Sequence, residues 1–245
     1  ESLDISDRDA RKLGSVLLGG TIPTDIILQQ ELIHNRDRIW QMVSARPELE
    51  HMLCALGDGF NNVCGLAYGR GDYIYAASNT TPAQLAKINR HTMQEVSRLT
   101  LPAGSSETRV NALFAISDNL IVHGSYTNPY VLTFINGDTM QVIGTLTGVE
   151  EAVNDKHIRH FAFDGECLYV CCDTSPGKVV KIDPYTRTRL GSATLNVGEN
   201  SLYGCVMLRG MLYVCCAMNP GAIVKIDTTK ESPTRVSALA FDAGD

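Results

Sequence analysis

"LYVCCDTSPGKVVKIDPYT" occupies residues 168–186, and "LYVCCAMNPGAIVKIDTTK" occupies residues 212–230. Two such similar stretches in one chain ask first for an internal period, because a missed repeat miscalls the whole fold. Working outward from Pro176 and Pro220, the same pattern recurs about Pro129 and Pro82, so the separations are 47, 47 and 44 residues. Six residues after each proline stands an isoleucine: Ile88, Ile135, Ile182 and Ile226. Before each proline lies an apolar run, "YIYAAS", "LIVHGS", "LYVCCD" or "LYVCCA", preceded by another in "VCGLAYG", "VNALFAI", "IRHFAFD" or "YGCVMLR".

Each unit closes with a third and a fourth run, as in "VVKID" followed by "TRLGSATL". The joints "NRHTMQ", "NGDTMQ", "DPYTRT" and "DTTKES" carry the Asn, Asp, Gly, Pro and Thr of hairpin turns. Alternation within the runs points to strands: in "KVVKID", Val180 and Ile182 share one face, Lys181 and Asp183 the other. Four short antiparallel strands per unit, repeated in tandem, predict an all-β fold, a β-propeller of about four four-stranded blades.

The units resemble the tandem repeats of surface-layer and quinoprotein-like propellers, of the YVTN type. That resemblance covers residues 57–245 and implies an architecture shared by enzymes, adhesins and scaffolds alike. The tryptophan-aspartate dipeptide of another blade family is absent, since the single Trp is Trp40. The expected blades are residues 57–104, 105–152, 153–198 and 199–245, forming a four-bladed or open propeller within this chain.

Residues 1–23 lack a complete periodic pattern and read as an extended arm. Residues 24–56 read as helical, with Thr24 as N-cap and Pro47 opening a second short helix. Leu28, Leu32, Asn35, Ile39 and Met42 are spaced 4, 3, 4 and 3, a coiled-coil seam that Trp40 widens. This stripe is a candidate assembly interface, in which Asn35 would set register, or the face by which the helix packs on the propeller. The segment "DISDRDARKLGSV", residues 4–16, resembles short linker segments in virion proteins of tailed bacteriophages, which implies a tethered, displayed module.

The formal net charge of -6, from 27 acidic against 21 basic residues without a basic cluster, argues against a nucleic-acid partner. No apolar run approaches the about 18 residues that a membrane-crossing helix needs, so a soluble chain without membrane insertion is expected. The eight cysteines form no CxxC pair, which argues against zinc and thioredoxin-like chemistry, and most read as buried, reduced thiols. The vicinal pairs Cys171-Cys172 and Cys215-Cys216 repeat because a packing slot between blades repeats.

In "KHIRHF", His157 and His160 are three apart, which on a strand turns them to opposite faces and away from a shared metal. The first strand of a blade lies nearest the axis, so His157, Arg159 and His160 are candidates for a channel mouth. The positions matching His160 hold Gly65, Ala112 and Gly204. His123 reads as a satisfied core histidine, matched by Ala76, Cys171 and Cys215. Asp183 and Asp227, matched by Asn89 and Asn136, are placed to cap backbone amides at turns.

No catalytic set, cofactor site or metal site is expected. Phosphate-cradling glycines, a GxSxG elbow and an HExxH helix are all absent. The leading expectation is a non-enzymatic structural or interaction protein that displays a propeller on a virion or cell surface, anchored by its arm and helix to protein partners or other copies. The rival is a ligand- or glycan-binding propeller with Tyr126, Tyr130 and Tyr185 at one rim. The third is a lyase or hydrolase using His157, Arg159 and His160.

Overall fold

The structure, a computed structural model, describes residues 56, 59–69, 71–101, 110–148 and 157–241. The expected arm and nearly all of the helical segment, including Leu28, Leu32, Asn35, Ile39, Trp40 and Met42, lie outside the described residues.

The apolar runs form sixteen strands among the described residues, in four antiparallel sheets whose strands follow chain order. Blade 1 comprises β1 (Val63–Tyr68), β2 (Tyr73–Ser78), β3 (Gln84–Asn89) and β4 (Gln94–Thr100). Blade 2 comprises β5 (Val110–Ser117), β6 (Leu120–Ser125), β7 (Val131–Asn136) and β8 (Gln141–Thr147). Blade 3 comprises β9 (Ile158–Phe163), β10 (Leu168–Cys172), β11 (Lys178–Asp183) and β12 (Thr188–Thr194). Blade 4 comprises β13 (Leu202–Leu208), β14 (Met211–Cys216), β15 (Ala222–Asp227) and β16 (Thr234–Ala240). The first strands β1, β5, β9 and β13 neighbour one another in succession, so they form the inner edge of the propeller.

The turns repeat with the strands. The Asx side chain ending each third strand accepts backbone N–H bonds, as at Asn89 from His91 and Thr92, Asn136 from Asp138 and Thr139, Asp183 from Tyr185 and Thr186, and Asp227 from Thr229. This is the amide-capping role read from the sequence. The four repeat prolines each follow a cis peptide bond in the turn between second and third strands.

The core lies between blades rather than within them, because a four-stranded sheet alone buries neither face. Tyr169, Cys171 and Val179 of blade 3 pack against Leu212, Val214, Val224 and Ile226 of blade 4. Val122, Leu132 and Phe134 of blade 2 meet Val170, Val180 and Ile182 of blade 3 in the same way. The strand register makes Ala77, Gly124, Cys171 and Cys215 equivalent, each opposite the matching first-strand residue. The vicinal cysteines thus share register positions, but the packing differs: Cys171 is buried against blade 4, whereas Cys215 is exposed.

His123 departs from its expectation. Register matches it to Ala76, Val170 and Val214, not to Cys171 and Cys215. It is 1% exposed, and neither ring nitrogen has a hydrogen-bond partner among the described residues. Spacing from the vicinal cysteines misplaced it by one residue, and a one-residue slip moves a side chain to the other face.

Polar groups interlock the blades. Lys87 Nζ donates to Gly137 O at 2.8 Å, and the Tyr75 hydroxyl donates to Asp118 O at 3.3 Å, both in turns of blade 2. Lys181 Nζ repeats the contact with Thr228 O and Lys230 O of blade 4 at 3.2 and 2.9 Å. Blade 4 carries the same cross-strand pair, Tyr213 and Lys225, on a face that no described residue covers.

Candidate functional site

Regular alternation would send Arg159 and His160 to opposite sides of β9, but the strand is not regular. His157, just before it, has a φ of 55°, and Arg159 is the extra residue of a bulge between the pairs Ile158–Cys172 and His160–Cys171. Tyr203 occupies the equivalent bulge in β13, after Ser201 with a φ of 53°. A bulge re-aims its side chain. Here the two bulges turn Arg159 and Tyr203 toward each other.

The Arg159 guanidinium lies over the Tyr126 and Tyr203 rings, 4.5 and 4.4 Å from their centroids. Its Nη2 donates to Asp173 Oδ2 at 2.6 Å, to the Tyr126 hydroxyl at 2.9 Å and to the Tyr203 hydroxyl at 3.1 Å. The Tyr126 hydroxyl donates to Asp173 Oδ2 at 3.2 Å, and the His157 ring stacks on Tyr126 at 3.9 Å and 9°. Burial opposes ionisation of Asp173, yet hydrogen bonds from Ser201 and Arg159 outweigh it and hold the carboxyl below its ordinary value. The result is a charge-balanced cluster drawn from blades 2, 3 and 4. Its aromatic and guanidinium composition suits recognition, and its ionic groups are already satisfied, which disfavours acid-base work.

The structure therefore joins two groups of candidates that the sequence kept apart: Tyr126 from the rim, and His157 and Arg159 from the channel mouth. It separates others. His160 does not join this cluster, and its Nδ1 meets Cys205 Sγ at 3.3 Å. Tyr130 is not a rim residue: it is 1% exposed in the core between blades 2 and 3, because its register position, shared with Ala83, Gly177 and Gly221, faces the next blade. Tyr185 is exposed, but it lies in the β11–β12 turn, at the opposite strand end from the turn type that holds Tyr126. Antiparallel hairpins put successive turns at opposite ends, so the three tyrosines share no rim.

Asp173 and Tyr203 escaped sequence reasoning because neither lies near Arg159 in the chain. No sequence signal marked Tyr203, because the bulge that aims it is defined by how β13 pairs with β14. Among the described residues, no group of three His, Cys, Asp or Glu side chains is arranged to hold a metal ion. Among the described residues there is no helix long and apolar enough to cross a membrane.

The last face of blade 4 is the second feature. Val179, Ala193 and Leu195 of blade 3 are 0, 7 and 4% exposed, whereas their equivalents Ile223, Leu239 and Phe241 are 37, 62 and 41% exposed. Among the described residues the propeller is thus an open arc of four blades.

No family model and no curated protein matches the chain. Solved structures do. A chain of the mitotic checkpoint complex aligns over 72% of this chain and 51% of its own length, at 11% identity and a TM-score of 0.58. The WD40 repeats of RRP9 align over 76% and 52%, at 13% identity and 0.58. The WD40 β-propeller domain of Doa1 aligns over 76% and 55%, at 17% identity and 0.56. This chain spans about half the length of each of these proteins. At such identities the likeness establishes the fold alone: the chain forms tandem β-propeller blades.

Proposed function

We propose that this chain is a non-enzymatic interaction module acting inside a larger assembly, displayed on a virion or cell surface, with residues 1–56 as its anchor. One observation carries this reading: blade 4 presents the full packing and interlocking set of an inner blade, Tyr213, Cys215, Ile223, Lys225, Leu239 and Phe241, to nothing described. A contiguous apolar face of this kind marks an association surface. Its shape and register suit a further blade of the same class, one that offers aliphatic residues where blade 4 has Leu212, Val214, Val224 and Ile226, and a turn carbonyl to Lys225 Nζ. The WD40 neighbours are compatible with an interaction role. The Arg159 cluster, at the end of the strands, is the proposed recognition surface for a protein partner.

Tyr126 is a poor seat for a sugar ring, since the His157 ring already stacks on it and the Arg159 guanidinium lies over it. The protein-partner reading is accordingly preferred to the glycan reading.

The test is the native mass of the full chain by light scattering, for wild type, Ile223→Lys and the double variant Leu32→Asp/Ile39→Asp. The wild type should exceed its monomer mass of 26.7 kDa and form a discrete assembly. Ile223→Lys should remove association through the blade face, and the double variant should remove association through the helix stripe. A wild type that stays monomeric at micromolar concentration overturns the reading.

A further inference from the structure

We infer that Cys205 is a hydroperoxide-reactive thiolate, held by His160 and resolved by Cys171, whose oxidation links blade 3 to blade 4. This is independent of the assembly reading, because it concerns the inner edge of the arc and not its open face.

The geometry is specific to this pair of blades. His160 Nδ1 lies 3.3 Å from Cys205 Sγ across the gap between β9 and β13. His160 is also the cross-strand partner of Cys171, so the residue that touches Cys205 sits directly opposite Cys171 on blade 3. Cys171 hydrogen-bonds to Cys205 through its thiol, which raises Cys171 and favours the thiolate of Cys205. The fold does not require these residues. The matches to His160 are Gly65, Ala112 and Gly204, and the matches to Cys205 are Leu66, Leu113 and Phe161. His160 is exposed and Cys205 only partly buried, so a small oxidant has access, while Cys171 behind them is fully buried.

The electrostatics agree with the geometry. The hydrogen bond from Cys171 and the pairing with His160 together outweigh burial and bring the Cys205 thiol from 9.0 down to about 6. The Cys205 contact in turn raises His160. A thiolate beside an imidazolium, with a second thiol in reach, is the setting of a reactive cysteine.

The steps balance. The Cys205 thiolate attacks one oxygen of ROOH; the S–O bond forms, the O–O bond breaks, and the departing alkoxide takes the proton of the His160 imidazolium. Sulfur loses two electrons and the hydroperoxide is reduced to ROH. Cys171 then gives its proton to His160 and attacks Cys205 Sγ. The S–S bond forms, the S–O bond breaks, and hydroxide leaves as water with that proton.

The experiment is site-resolved iodoacetamide labelling of the full chain across pH 5–9, read by peptide mass spectrometry, followed by one equivalent of hydrogen peroxide. A thiolate with the cited value should react about twentyfold faster at pH 6 than an unperturbed peptide thiol, once the lower nucleophilicity of a weaker base is included. The labelling midpoint of Cys205 should lie near pH 6 and move up in His160→Ala and in Cys171→Ala. Both variants suit the fold, since Ala112 and Ala77 fill the same slots in other blades. Peroxide should give a Cys171–Cys205 disulfide in wild type and a dimedone-trapped sulfenic acid at Cys205 in Cys171→Ala. A Cys205 midpoint at the ordinary thiol value, or oxidation of Cys64 or Cys215 ahead of Cys205, overturns the proposal.

Discussion

His123 and Thr133 stand side by side on β6 and β7 in a slot that blade 1 fills with Ala76 and Ala86, blade 3 with Val170 and Val180, and blade 4 with Val214 and Val224. Both are buried, and neither the ring nitrogens nor the Thr133 hydroxyl finds a partner among the described residues. Burial pushes His123 from 6.5 down to about 4. Between these values the unfolded chain binds a proton that the folded chain excludes, so stability is full above pH 6.5 and falls as pH drops toward 4. The linked loss is about 3 kcal/mol. Urea midpoints should therefore fall across this window, and the His123→Val/Thr133→Val variant should be more stable by about 2 kcal/mol at pH 7 with a flatter profile. An unchanged pH profile in that variant would assign the acid sensitivity elsewhere. Cys172 offers the reverse case. It occupies the place of Ser78 and Ser125, whose hydroxyls pair with Thr80 and Thr127 and accept the N–H of Gln84 and Val131. In blade 3 the hydroxyl of Thr174 has no partner among the described residues. Cys172→Ser should then cost less than about 1 kcal/mol by chemical denaturation despite full burial, because the turn already holds its partners.

At the scale of the elements, blades fit by close approach of one turn to the next blade. A Cβ added to Gly177 would meet Leu202 Cδ2 at 2.8 Å and Glu199 O at 3.0 Å, whereas one added to Gly221, its equivalent, meets nothing nearer than Phe241 Cδ2 at 3.6 Å. The difference is the presence of a following blade. Gly177→Ala should destabilise by about 2 kcal/mol and Gly221→Ala by less than about 0.5 kcal/mol, compared by thermal unfolding. The interlock at Gly137 is tighter still, since a Cβ there would lie 2.2 Å from Asp118 O and 2.6 Å from the Tyr75 hydroxyl. Gly137→Ala should cost about 3 kcal/mol by displacing the acceptor of Lys87 and Tyr75. The strands and turns themselves were legible in the sequence, down to the Asx residue that closes each third strand. The bulges were not. A bulge is defined by what a strand pairs with, and nothing in "KHIRHF" alone reveals that Arg159 has no opposite residue in β10.

At the scale of the molecule, four blades in succession leave one sheet face unpaired. Tyr213 and Lys225 hold the positions from which Tyr169 and Lys181 reach into the next blade, yet no blade follows among the described residues. In the chain on its own, amides of β15 and β16 should exchange with deuterium faster than those of β11 and β12, whose sheet is covered on both faces. Binding of a further blade should erase the difference, and equal exchange before binding would show that the face is already covered. The Arg159 cluster also belongs to this scale. Its members come from residues 126 to 203, and three blades must dock before Asp173, Tyr126 and Tyr203 surround one guanidinium.

The sequence by itself determined the blade. The proline period, the alternating strands and the Asx turns are local, and each is written within a few residues of where it acts. Only the tertiary structure decided what the blades do together. It moved Tyr130 into the core, placed Tyr126 and Tyr185 at opposite ends, left His123 without a partner among the described residues, and paired His160 with Cys205 from the next blade. The physical reason is that a blade's faces are completed by its neighbours. The contacts between neighbouring blades depend on register and on bulges, and a repeat of near-identical units does not encode which unequal residues will meet across the seam.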